Sequence, residues 1–128
     1  MLGDDLSLLR EQSDEAVERF LEQQRPSWEK KRDWHWSEAR LAAARGYHRR
    51  AGRSLERVGL YDVLLSFDPP ALVLPWRVMC CETPVKDLAV HRTMEATYKA
   101  LSRFRQAVRE RTSDRTRELY HLLGDDLN

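Results

Sequence analysis

Apolar residues near the start of the chain recur at helical spacing. Leu6, Leu9, Ala16, Val17, Phe20 and Leu21 form one stripe, with Ser13 inside it, while Glu11, Glu15, Glu18 and Glu22 fall mainly elsewhere. This predicts a helix from about Asp4 to Gln24, stopped by Pro26, which disfavours helical backbone at the residue before it. The next stretch, PSWEKKRDWHW, reads as a short helix ending near Asp33 and carries Trp28, Trp34 and Trp36. Ser37 has the character of an N-cap before EARLAAAR, and Gly46 is placed to end that helix in a left-handed conformation. A further helical segment runs from about His48 to Val58, weakened at Gly52 by roughly 1 kcal/mol relative to alanine.

After Gly59 the pattern changes. YDVLLSF and ALVLPWRVMCC are rich in Val and Leu and are separated by Asp68-Pro69-Pro70, which is turn chemistry. They predict a β-hairpin with strands near Asp62 to Phe67 and Leu72 to Cys80; an irregular buried loop is the rival description. Pro75 donates no ladder hydrogen bond, so it demands an edge or a bulge in the second strand. Thr83-Pro84 then opens a long amphipathic helix over residues 84–111, with Leu88, His91, Met94, Tyr98, Leu101, Phe104 and Val108 spaced by three and four. Ser113-Asp114 looks like a new cap for a short last helix bearing Leu119, Leu122 and Leu123 before Gly124.

The expected architecture is mainly α: one compact helical domain over residues 1–128, with five or six helices and one small β-hairpin. A length of 128 residues suits a single domain, and a 34% charged fraction suits helices with solvated outer faces. The two cysteines, Cys80 and Cys81, are adjacent and cannot tie distant segments together; they read as small apolar residues in a reducing compartment. No apolar run approaches the ~18 residues of a membrane span. A cytoplasmic protein with no membrane partner is therefore expected.

The net charge of +1 conceals an uneven distribution. Residues 1–24 hold seven acidic against two basic side chains, a net −5. Residues 37–60 hold six arginines against two glutamates, and residues 103–117 six arginines against one glutamate and one aspartate, each a net +4. Such basic clusters attract phosphates or acidic partners, or else pair with the acidic head within the molecule.

Enzyme signatures are missing: there is no glycine-rich phosphate loop, CxxC, HExxH or nucleophile elbow. Asp87, His91 and Glu95 recur along one side of the long helix and would need a ligand such as Asp33 or His35 from elsewhere to hold a divalent metal. Three helical side chains fall short of a site, so no catalytic residue, metal or cofactor is expected. The three clustered tryptophans suit a core, the alternative being stacking on bases or gripping a partner. The segment SEARLAAARGYHRRAGRSLERVGL, residues 37–60, carries more functional content. With Leu41 and Ala42 on a first helix, a turn at Gly46, Leu55 and Val58 on a basic second helix and a hairpin to follow, residues 37–82 resemble a winged helix-turn-helix. That resemblance implies a DNA-binding regulator in which Arg45, Arg49, Arg50, Arg53 and Arg57 contact double-stranded DNA and the Asp68-Pro69-Pro70 tip serves as a wing. The other reading is a non-enzymatic adaptor or inhibitor that binds a protein partner through an arginine and aromatic surface. In either case Met94, Tyr98, Leu101 and Val108 offer a seam for a homodimer, interrupted by Arg105.

Overall fold

The computed structural model describes residues 13–80 and 91–127, with side chains placed over residues 13–77 and 98–124. The described residues form four helices: α1 Asp14–Ala44, α2 His48–Ser66, α3 Pro69–Cys80 and α4 His91–Leu127. The chain is mainly α, but it is not the five- or six-helix domain with a hairpin that the sequence suggested. Among the described residues there is no strand. The same residues contain no helix long and apolar enough to cross a membrane.

Three expected breaks turn out to be continuous helix. Ser13, not a stripe residue, caps α1, its Oγ accepting a hydrogen bond from the Ala16 amide (3.3 Å), and Asp14 and Glu15 follow where the helix dipole favours acids. From there α1 passes through Pro26, Asp33 and Ser37 without ending. An interior proline costs about 3 kcal/mol. Buried faces on both sides, with Val17 and Leu21 before it and Trp28, Ala39 and Ala42 after it, outweigh that cost. The expected start at Asp4 lies outside the described residues, as does the start of the long helix at Pro84. At its other end α4 runs on through Ser113-Asp114 to Leu127.

The hairpin is replaced by helix on both sides of its turn. In α2, Leu55, Val58, Asp62 and Val63 continue a single buried face past Gly59, so YDVLLS completes that helix. Asp68-Pro69-Pro70 does mark a boundary, but a helical one. Proline at the first helical position surrenders no hydrogen bond and presets the backbone, and α3 begins at Pro69. The wing of the winged-helix reading therefore does not exist.

The described residues divide into two compact units. One draws on residues 13–25, α3 and the part of α4 up to Arg105. Here Val17, Leu21, Leu72, Val73, Leu101 and Phe104 are buried, Phe20 lies 5.8 Å from Trp76, and Phe67 meets Phe104 edge-on at 6.0 Å. The Arg77 guanidinium donates to Asp14 (3.1 Å). Leu101 is thus committed to the chain's own core and not to a homodimer seam, Tyr98 is exposed, and Met94 lies outside the described side chains.

The other unit packs residues 26–44 of α1, the whole of α2 and the C-terminal part of α4. Ala39, Ala42, Ala43, Ala51, Leu55 and Leu119 form its core, flanked by Trp36 and Leu123. Alanines let the α1 and α2 backbones approach closely. Gly59 does the same for α2 and α4: a Cβ there would stand 3.0 Å from the Thr112 amide nitrogen and 3.1 Å from the Val108 carbonyl oxygen, besides meeting the Thr112 hydroxyl. One turn further along, the buried Asp62 carboxylate accepts hydrogen bonds from Arg115 Nε (2.8 Å), Arg115 Nη2 (3.1 Å) and Arg111 Nη2 (3.3 Å). Arg115 in turn lies 4.9 Å over the Trp36 ring, so one guanidinium joins all three helices. The hydrogen bond to Asp62 is the main reason its pKa is raised.

Two stability outcomes follow. Gly59→Ala forces α2 away from α4 and should cost about 1–3 kcal/mol in urea unfolding. Asp62→Asn leaves two cations short of their counter-ion; because Arg111 is half exposed, the cost should be about 2–3 kcal/mol, below that of a fully buried pair. A change under about 0.5 kcal/mol in either variant would contradict this packing.

Candidate nucleic-acid interface

The connection between α1 and α2 is Arg45-Gly46-Tyr47. Gly46 has φ +82°, the left-handed conformation expected of it, and the Gly46 and Tyr47 amides donate to Ala43 and Ala42 carbonyls (3.0 and 2.8 Å). A turn this short could join either a nearly antiparallel pair or the splayed pair of a helix-turn-helix, whose axes cross at about 90–120°. The far ends decide between them. His35 lies roughly 14 Å before the turn along α1 and Tyr61 roughly 20 Å beyond it along α2, so splayed axes would stand more than about 20 Å apart there. Instead the two rings stack with centroids 6.0 Å apart. The pair is therefore close to antiparallel, and the second helix does not project ahead of the first as a groove-reading helix must.

All five arginines singled out in the sequence are exposed. Arg49, Arg53 and Arg57 are spaced by four, advancing about 40° per step around α2, and Arg50 falls about 100° from Arg49, so four guanidinium groups occupy roughly one quadrant. Ala51, Leu55, Val58 and Asp62 occupy the opposite face, which fixes the quadrant outward. Arg45 adds a fifth cation in the turn. Among the described residues the ion pairs engage other arginines, namely Arg25, Arg32, Arg77, Arg111, Arg115 and Arg117, and none engages these five.

The first turn of α2 intensifies this field. Helix N-termini favour acids, and a short side-chain oxygen normally caps them. Here the capping position is Tyr47, whose carbonyl accepts from the Ala51 amide, and the first turn holds His48, Arg49 and Arg50 with no acid. The Tyr120 hydroxyl is hydrogen-bonded to Nδ1 of His48 (2.7 Å), anchoring this end of α2 to α4. Gly46, Tyr47, His48, Arg49, Arg50 and Arg53 line an open depression of about 670 Å³.

The second arginine cluster behaves differently. Arg111 and Arg115 hold Asp62, Arg115 also reaches Glu118 (3.3 Å), and Arg117 pairs with Asp114. Half of that cluster is tied into the fold in this way, whereas Arg103, Arg105 and Arg109 are exposed and enter no ion pair among the described residues.

The tryptophans divide. Trp28 is buried and Trp36 packs on the core, but Trp34 is 60% exposed. Its ring meets His35 edge-on at 4.9 Å, and His35 stacks on Tyr61. Tyr61 follows Arg57 by four residues and so continues the Arg49–Arg53–Arg57 row. This aromatic end of the row went unrecognised in the sequence, because Tyr61 fell between an assumed helix end at Val58 and an assumed strand. The possible metal ligands Asp87, His91 and Glu95 lie outside the described side chains; of their suggested helpers, Asp33 pairs with Arg32 (3.2 Å) and His35 is in the stack. Among the described residues no group of three His, Cys, Asp or Glu is placed to hold a metal ion.

No protein-family profile matches the chain, and neither a curated protein nor a solved structure shows significant similarity to it.

Partial burial is the main cause that lowers the His35 pKa from 6.5; Arg57 lowers it further, Glu38 opposes them and Lys31 adds to the lowering. A folded-state value below the unfolded one means that the unfolded chain takes up the proton first. Stability should therefore be complete above about pH 6.5 and decline as pH falls through the folded value. His35→Gln should flatten urea stability between about pH 7 and pH 5; an unchanged slope would mean that His35 is not the group responsible.

Proposed function

We propose that this is a non-enzymatic binding protein that holds the phosphate backbone of a nucleic acid against the outer face of α2. The observation that carries this reading is the row of exposed guanidinium groups at Arg49, Arg53 and Arg57, in no ion pair among the described residues, widened by Arg50 and Arg45, on the face opposite the buried one. Successive members of the row lie about 6 Å apart along the helix axis, giving a linear array of cations suited to a linear array of phosphates. The antiparallel pair and the missing wing remove the groove-reading geometry of a winged helix. The reading accordingly narrows from base recognition in double-stranded DNA to phosphate contact, with affinity carried by charge and little direct sequence readout.

A second reading has its own support. Tyr47 is 57% exposed among the arginines and Leu41 is 52% exposed, and tyrosine and arginine are enriched at protein–protein hot spots. A protein partner would fit such a surface, with apolar contacts giving a binding that survives added salt.

Fluorescence anisotropy with labelled DNA separates the two. With four or five phosphate contacts, affinity should fall on the order of 100-fold between about 50 and about 200 mM salt. Arg49→Ala or Arg53→Ala should weaken binding and reduce the salt slope by about 1, while Arg117→Ala should do neither. Absence of DNA binding at the lower salt concentration would overturn the proposal.

A further inference from the structure

The arginine row ends in aromatic rings rather than in more charge. Along α2 the positions Arg49, Arg53, Arg57 and Tyr61 follow one another at intervals of four, covering about 18 Å of the helix. Tyr61 stacks on His35 at 6.0 Å with 16° between the ring planes, and His35 supports Trp34 edge-on at 4.9 Å. The row and the rings adjoin, since Arg57 is close enough to His35 to act on its imidazole. Trp34 is left 60% exposed, although Trp28 and Trp36 of the same helix find places in or against the core. Its rotamer is braced by His35 while most of the indole faces solvent.

A duplex gives such a ring nothing to do, because its bases are stacked and paired and it presents phosphates and groove edges outward. A single strand presents both phosphates and open base faces. Proteins that grip single strands combine a cationic track with an aromatic platform, since every base has a π face and stacking tolerates any sequence. We propose that the ligand of this surface is a single-stranded nucleic acid, its phosphates following Arg49, Arg53 and Arg57 and an unpaired base stacking on Trp34. This rests on the phosphate-binding reading above and adds the strand state. His35 and Tyr61 are positioning residues that hold the indole open.

Anisotropy titrations with the intact protein test it, using a short labelled oligothymidylate, an abasic strand with the same phosphates, a duplex of equal length, and poly-glutamate as competitor. The oligothymidylate should bind more tightly than the abasic strand. Trp34→Ala should weaken oligothymidylate binding by roughly 5- to 100-fold, abolish its advantage over the abasic strand, and leave duplex affinity within about twofold. Because the side chain is exposed, circular dichroism of the variant should match the parent. If Trp34→Ala binds oligothymidylate as the parent does, or loses duplex and single strand equally, the stacking inference fails while phosphate binding stands. If poly-glutamate displaces the strand at equal charge concentration and its own binding depends on Trp34, the surface is one for an acidic protein and the single-strand assignment fails. If no nucleic acid binds at low salt, both readings fall together.

Discussion

The seating of α2 between α1 and α4 decides what this protein offers to solvent. Gly59 lets α2 approach α4 at the Thr112 backbone, and Asp62, one turn on, is gripped by Arg115 and Arg111. A helix held at two adjacent turns on one side is held in rotation as well as position. Once Ala51, Leu55, Val58 and Asp62 face inward, Arg49, Arg50, Arg53 and Arg57 have no orientation left except outward. The proposed binding surface is thus a consequence of the core.

Two arginine clusters of equal net charge also differ in what their members touch. In α4 the spacing of Arg111 and Arg115 places both beside the buried Asp62 carboxylate, and Arg117 finds Asp114 three residues away along its own helix. The charge of these three is engaged by carboxylates of the fold, while Arg103, Arg105 and Arg109 of the same cluster stay exposed. On α2, Asp62 is engaged by Arg111 and Arg115, and Glu56 makes no ion pair with the row, so among the described residues no carboxylate is paired with that cluster. Sequence arithmetic alone weights the two equally.

Several features were legible in the sequence because they depend on local rules. The left-handed Gly46, the helical character of residues 48–58 and the boundary at Asp68-Pro69-Pro70 all follow from capping, propensity and turn chemistry, whereas charge alone left open whether the arginines stood free. What was misread depended on distant partners. Val and Leu in YDVLLS suit a strand or a buried helix face equally well. The deciding fact is that Val63 and Asp62 extend the buried row of Leu55 and Val58 toward α4. The expected breaks at Pro26 and Ser113-Asp114 likewise gave way, since long buried faces on α1 and α4 override one weak residue. With α2 cut at Val58, the continuation from Arg57 to Tyr61 was invisible, and so was the aromatic end of the surface.

The most direct test of this seating is a set of inter-proton contacts from nuclear magnetic resonance on the free protein. The account expects cross-peaks from the Gly59 α-protons to Thr112 and from the Tyr61 ring to the His35 ring, with helical carbon shifts over residues 59–66. Extended-chain shifts over residues 62–66, with neither contact present, would contradict it, since α2 would then end early and nothing would fix its arginines outward.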